Sequence, residues 1–341
     1  MAGLVPAIHA FLAREKTWMP GTSVQPGRPK AEPGWPGMKA AKPSQAARTR
    51  PMPLSLYLNV AVGGVLTGLV YGLMALGLSV IFGVVRVVNF AHGEMMTIAM
   101  YIAVTLFAAF HLDPLLMLVP IAAVMFAFGY LLQAGMINAF ITRPEHSQFL
   151  LLISVAIIIG NTLLILFGPD AQNVQVAYAF DSYAIGPLII DATKLYAGIV
   201  AVVVAAALFA FFRYTTLGTA IRACADNYTG AQVVGLDVKR LYALTFGLGS
   251  ACVGAAGTIL LLLFDVTPAA GASYTLLAFV IVITGGLGSM PGALLGGVLI
   301  GLTEAMAGLL FTPSAKTMFA FALLVVVLLF RPQGIMGKRA A

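Results

Sequence analysis

Leu56-Tyr-Leu-Asn-Val-Ala-Val-Gly-Gly-Val-Leu-Thr-Gly-Leu-Val-Tyr-Gly-Leu-Met-Ala-Leu-Gly-Leu-Ser-Val-Ile-Phe-Gly-Val84 is a glycine-striped run without a single charge. It exceeds the roughly 20 apolar residues that a helix needs to cross a bilayer. Directly behind it Arg86, Asn89, His92 and Glu94 crowd into nine positions, before a second apolar run from Met95 to Phe110. Polar groups between two spans are costly against lipid, so this reading turns them toward protein or water. The fold class that follows is all-α: a polytopic transmembrane helical bundle with polar chemistry set against its spans.

Composition supports the same class. Apolar residues make up 60% of the chain and charged ones 9%, against about a quarter charged in soluble proteins. The net charge of +7 is a property of one end. Residues 1–53 hold eight Lys/Arg against Glu15 and Glu32, whereas 54–341 are nearly balanced, with eleven Lys/Arg against ten Asp/Glu. Nucleic-acid binding is therefore unsupported. Cys224 and Cys252 have neither metal-ligand spacing nor a disulfide framework. The Pro/Gly-rich stretch 1–53 lacks a sustained period and reads as a disordered basic tail, with 54–341 as the membrane domain. Two readings stand for that tail: a genuine extension, or a start-site artefact ahead of Met52.

Apolar segments recur at 57–84, 95–111, 114–140, 148–167, 195–212, 241–264, 275–287, 291–311 and 317–330. The last three are short or glycine-broken, which predicts eight or nine spans with at least one broken helix. Lys/Arg in short loops orient them. The connector 213–240 (Arg213, Arg222, Lys239, Arg240) and the C-terminus (Arg331, Lys338, Arg339) go to the cytoplasm, as does Arg143, while 168–194, with Asp170, Asp181 and Asp191, lies outside. Counting back through three spans puts residue 55 outside. A basic tail there violates the positive-inside rule, so either the tail is absent in the cell or an early segment is re-entrant.

Gly64, Gly68 and Gly72 repeat every four residues, as do Gly292/Gly296 and Gly297/Gly301. This spacing cuts a shallow groove on a helix face, for ordinary helix packing or for a pathway or partner-permease surface. Gly285-Gly-Leu-Gly-Ser-Met-Pro-Gly292 cannot hold a regular helix and is read as a half-helix junction in preference to a plain loop.

Gly72-Leu-Met-Ala-Leu-Gly-Leu-Ser-Val-Ile-Phe-Gly83 and Val88-Asn-Phe-Ala-His-Gly-Glu94 resemble the H-type permease of branched-chain amino-acid ABC importers. Arg222-Ala-Cys-Ala-Asp226 with Ala231 and Gly235, the stretch Gly247 to Gly257, and Thr284-Gly-Gly-Leu-Gly-Ser-Met-Pro-Gly-Ala293 are similar to the same family, so the likeness spans roughly 54–335. The resemblance implies a multi-subunit importer in a bacterial inner (plasma) membrane. Its partners would be a second related permease, two cytoplasmic ATPase subunits and an external substrate-binding protein, with membrane lipid around it. Independently, no Gly-x-x-x-x-Gly-Lys-Ser/Thr loop occurs in the sequence, so ATP hydrolysis would fall to another chain, and neither an enzyme activity nor a cofactor is expected.

The candidate residues divide into two sets. Arg222, Ala223, Asp226, Ala231 and Gly235 in the 213–240 connector form, with the resemblance included, an ATPase-coupling element; the plain alternative is a solvated loop. Thr67, Ser79, Arg86, Asn89, His92, Glu94, Thr284 and Glu304 form a pathway or structural polar cluster. In its structural version Asn89 and His92 hydrogen-bond freed backbone and Arg86 pairs with Glu94, while Glu304 makes a helix-packing hydrogen bond. His92 and Glu94 without a third ligand make a weak metal signal, so no metal is expected, and no nucleophile–base set is assembled. Thr67, Ser79, Asn89 and Thr284 are the expected weakly polar walls for an amino acid whose selection rests with the binding protein. A permease for urea or short amides would share these motifs, and a self-sufficient ion-coupled secondary transporter is the rival class.

Overall fold

The computed structural model describes residues 53–337 except Thr142 and Pro187; the 1–53 tail (as far as residue 52), Lys338 and Arg339 lie outside the described residues. Helix α1 spans Leu54–Val85, α2 His92–Phe110, α3 Pro114–Gly135 and α4 Glu145–Phe167. A hairpin of β1 (Ser182–Ile185) and β2 (Leu188–Asp191) precedes α5, Ala192–Tyr214. Two short helices, α6 (Thr216–Asp226) and α7 (Tyr228–Val233), lead to α8 (Val238–Leu260), α9 (Ala270–Gly285), α10 (Met290–Leu310) and α11 (Lys316–Phe330). Eight of the helical segments are long and apolar enough to cross a membrane, and α9, with 16 residues, is the shorter ninth. The sequence reading of eight or nine spans holds. The small antiparallel hairpin was not foreseen.

Local chemistry sets most helix starts. Asp113 accepts the Leu115 N–H at 2.8 Å with Pro114 in the first turn, and Asp191 accepts that of Thr193 at 3.0 Å. Thr215, Asn227, Asp237 and Ser289 cap α6, α7, α8 and α10 in the same way. Each such oxygen satisfies a backbone donor that the first helical turn leaves free.

Hydrogen bonds sort the loops onto two faces. The Asn59 side-chain Oδ1 accepts from Ile189 N–H in the hairpin, the Tyr178 hydroxyl donates to Asp113, and Gln172 bridges Val266. Burial, then the Asp113 bond, pushes the Tyr178 hydroxyl above its ordinary range. On the other face Asn138 donates to the Lys239 carbonyl, and Ile335 and Met336 N–H groups donate to the carbonyls of Thr284 and Gly285. Residues 168–194 and the start of α1 thus share one face, and 213–240 with the C-terminal segment share the opposite one. This is the arrangement the Lys/Arg distribution predicts, with the start of α1 outside.

The core is built on backbone contact. Gly68 of α1 lies so close to α10 that a Cβ there would meet the Gly297 carbonyl oxygen at 2.7 Å, and one on Gly64 would meet the Gly301 oxygen at 3.0 Å. In return, a Cβ on Gly297 or Gly301 would collide with the backbone of Gly72 or Gly68. The four-residue glycine repeats therefore serve packing within the chain. Gly77 meets Gly249 of α8, and α8 in turn packs on α3 through Gly247 and Gly254. Helices α1 and α8 are the most enclosed, whereas α4 and α11 present most of their surface outward, as lipid-facing helices do.

One expectation is corrected. Gly285–Gly292 holds the tight turn joining α9 to α10, at the same end as Gly83, and the last two carbonyls of α9, Thr284 and Gly285, accept from the Ile335 and Met336 N–H groups. The turn lies at the end of the bundle that carries Gly83, and so is no break at membrane depth. Gly297→Val is expected to destabilise the folded chain by on the order of 3 kcal/mol through overpacking. Gly135→Ala, where no atom lies within 4 Å of a new Cβ, should stay within about 0.5 kcal/mol. Thermal unfolding in detergent compares the two, and equal melting temperatures would contradict the packing account.

Candidate functional site

The polar string after α1 folds back into the bundle. Arg86 ends α1 in the left-handed region (φ 58°), its N–H donating to the Phe82 carbonyl at 3.1 Å. Six residues later His92 places Nε2 3.0 Å from the carbonyl oxygen of Met74. Met74 stands 11 residues before the last residue of α1, or ~16 Å of helical rise. The non-helical stretch from Arg86 to Ala91 is thus re-entrant, and α2 starts inside the bundle. The sequence predicts a break at membrane depth; it falls here, between α1 and α2, and not at the glycine-rich turn between α9 and α10.

The depth is fixed from a second direction. The Gly93 N–H donates to Thr275 Oγ1 at 2.9 Å, and the same hydroxyl donates to the Phe90 carbonyl at 3.5 Å. Thr275 lies ten residues from the cytoplasmic end of α9, ~15 Å of rise, matching Met74. A Cβ on Gly93 would strike the Gly271 oxygen, so the first turns of α2 and α9 touch through glycine. Asn89 Oδ1 accepts from Ala91 N–H at 3.0 Å, closing the turn.

Asn89 therefore binds freed backbone, as the structural reading expects, whereas His92 binds a carbonyl inside the uninterrupted helix α1. A carbonyl only accepts, so Nε2 of His92 carries the proton; Nδ1 is buried without a partner among the described residues. The predicted Arg86–Glu94 pair does not form. The Arg86 side chain is exposed on a cytoplasmic cavity, whereas the Glu94 carboxylate is buried between Gly160 of α4 and Gly271 of α9. The re-entrant turn separates the two, moving Glu94 to the far side of His92.

The remaining candidates lie apart. Thr284 and Ser79 are fully buried with unpartnered hydroxyls, and Thr67 is half-buried on α1. Glu304 of α10 is half-buried and faces the Tyr71 hydroxyl of α1, with the Lys316 charge nearby. Thr275 and Tyr71 were missed because each is one polar residue in an apolar run. The small-residue spacing Gly271-x-x-x-Thr275 is the signal that marked the first.

The coupling candidates sit on the cytoplasmic face. Helix α6 buries Gly218, Ile221 and Cys224 and exposes Arg222, Ala223 and Asp226. Burial pushes the Cys224 thiol above its ordinary range. Gly235 is exposed in the left-handed region (φ 84°). Ala231 departs from the expected surface role, being buried with its carbonyl accepting from Leu236. Val233 and Val234 are instead 83% and 74% exposed on this non-spanning element. A cavity of about 820 Å³ brings the two predicted sets together, with Ser79 and Arg86 on one side and Arg222 and Asp226 on the other.

Re-entrant backbone, glycine-sealed spans and an amphipathic cytoplasmic element describe a transport subunit, and the sequence comparisons place it. Residues 60–328 match the family described as branched-chain amino acid transport system / permease component, and the chain belongs to that family. With eight helices among the described residues long and apolar enough to span, it is a multi-pass inner-membrane protein and a transport permease component. It is similar to the high-affinity branched-chain amino acid transport system permease protein BraD of Pseudomonas aeruginosa, 32% identical over 297 residues covering 83% of this chain and 96% of BraD. It is likewise similar to the permease protein LivH of Escherichia coli, 30% identical over 300 residues with the same coverage. A probable branched-chain amino acid permease LivH of Methanocaldococcus jannaschii is 27% identical over 278 residues, 78% of this chain and 88% of its own. No solved structure matches.

Thr275→Val removes an acceptor and leaves the Gly93 N–H unpaired in the core, at an expected cost of about 1–3 kcal/mol, whereas Thr275→Ser should retain most of the stability. Unfolding in detergent reads the difference, and equal stability of the two variants would remove Thr275 from this role.

Proposed function

We propose that this chain is the permease subunit of an ATP-driven ABC importer for branched-chain or related hydrophobic amino acids. It works beside a second related permease, with two cytoplasmic ATPases and an external substrate-binding protein. The amino-acid assignment leans on the names of the relatives. The observation that carries the ATP-driven reading is the α6–α7 element: an amphipathic pair outside the spans, with exposed Leu217, Val233 and Val234 beside Arg222 and Asp226. Apolar side chains that meet neither lipid nor the chain's own core suit a protein partner. Closure of an ATPase docked there would move α5 and α8, to which the element is joined, as rigid bodies.

Asn89 and Thr284 are enclosed within the chain, and Ser79 reaches only the cytoplasmic cavity. The wall that this subunit lends to the pathway is therefore best sought on the outer half, where Thr67, Tyr71 and Glu304 are grouped on α1 and α10. Low, weakly polar affinity there suits transit of a zwitterion with an apolar side chain.

Two measurements test the reading. The lone chain in liposomes should accumulate no solute, and active uptake by it would indicate an ion-coupled carrier instead. Gly235→Trp has room within the chain, since no atom lies within 4 Å of its Cβ, and pays only left-handed strain of about 1–2 kcal/mol. In the assembled transporter it should abolish transport while ATP hydrolysis and membrane insertion persist. Unchanged transport removes the coupling assignment.

A further inference from the structure

Two hollows lie against helices α1, α5 and α10, the lower one walled also by α6, the α9–α10 turn and residues 332–337. The lower is the cavity of about 820 Å³ at their cytoplasmic ends, bounded by Ser79 and Arg86 of α1, Phe212 of α5 and Met290 of α10. The upper is a slot of about 170 Å³ walled by Leu69, Ala201, Ala205, Phe209 and Leu294. On α5 and α10 the slot begins about one turn nearer mid-membrane, at Phe209 and Leu294. Its wall includes Val202, 48% exposed, so it opens on the lipid-facing surface. Ala201 and Ala205, one turn apart, leave the groove that larger side chains would fill.

The two hollows differ in chemistry. The slot is lined by apolar side chains throughout. The cavity holds two guanidinium groups from separate elements, Arg86 and Arg222, neither within ion-pair distance of a carboxylate among the described residues. Arg222 has one weak contact, to Thr219 Oγ1 at 3.4 Å. Ser79 Oγ, fully buried on the cavity wall, has no partner. Asp226 on the same wall leaves the described residues of the group with a net charge of +1.

We infer that the stacked hollows are a binding site for an anionic phospholipid of the cytoplasmic leaflet, with its phosphate on Arg86 and Arg222 and an acyl chain in the slot. Guanidinium forks match phosphate oxygens in pairs, and basic pockets between spans on this side suit anionic headgroups. A headgroup of net charge −1 balances the site; a zwitterionic one leaves it uncompensated. Asp226 accepts from a headgroup hydroxyl, which phosphatidylglycerol supplies. A soluble phosphate would use the arginines but not the slot.

Native mass spectrometry of the purified full chain, given dioleoyl-phosphatidylglycerol, dioleoyl-phosphatidylethanolamine or inorganic phosphate, tests this. Phosphatidylglycerol should be retained about fivefold more than phosphatidylethanolamine, and losing both arginines should weaken it by about 25-fold, at roughly fivefold each. Arg86→Gln with Arg222→Gln makes that change, and the Arg86→Lys, Arg222→Lys pair should restore most retention. Ala205→Leu fills the slot without altering charge and should lower lipid retention alone. Equal retention of the two lipids, or indifference to both the charge and slot variants, overturns the proposal. So does full displacement by millimolar phosphate, which would indicate a soluble-anion site. Lipid bound by the lone chain but expelled on assembly with a second permease overturns it as well, assigning the slot to that interface.

Discussion

A peptide group that leaves a helix inside a membrane finds no water, so it must be met by the protein itself. That constraint governs the stretch from Arg86 to Ala91. Within it the Asn89 side chain meets the Ala91 N–H, and just beyond it the Thr275 hydroxyl of α9 meets the Gly93 N–H while the His92 side chain reaches the Met74 carbonyl of α1. Because Met74 and Thr275 lie at one depth, these bonds hold α1, α2 and α9 in a single register. The touching first turns need glycine at 93 and 271, and the opening they leave takes the Glu94 carboxylate.

Elsewhere the bundle relies on dispersion between close backbones, since lipid tails offer no hydrophobic drive for one apolar helix to prefer another. Glycine contacts join α1 to α10 and α8, and α8 to α3, which leaves α1 at the centre with neighbours on several sides. The α6–α7 element follows the rules of soluble proteins, with one buried stripe, side-chain caps and a left-handed glycine after its second helix. Two kinds of packing thus meet where α5 passes into α6, beside the cavity that holds Arg86 and Arg222.

The spans, the sorting of their loops onto two faces and the glycine repeats were legible in the sequence because each rests on composition or spacing along one segment. The polar string could be located by the same means, and the backbone-binding roles of Asn89 and His92 follow from residue type. The Arg86–Glu94 pair could not be judged so, because proximity in sequence says nothing of a chain reversal between them. The turn at Gly285–Gly292 misled for a related reason: glycine and proline announce a break but not its depth. Thr275 and Tyr71 act through partners remote in sequence, and Ala231 faces inward by the helical phase of a short element.

Helix α1 has 32 residues, ~48 Å of unbroken rise against a hydrocarbon core of about 30 Å. Near one end Asn59 holds the outer hairpin, and at the other Arg86 overhangs the inner cavity. A strut of that length, held by glycine contacts from Gly64 to Gly77, puts the outer hairpin and the inner cavity at the two ends of a single element. One helix therefore fixes the distance between the two aqueous faces.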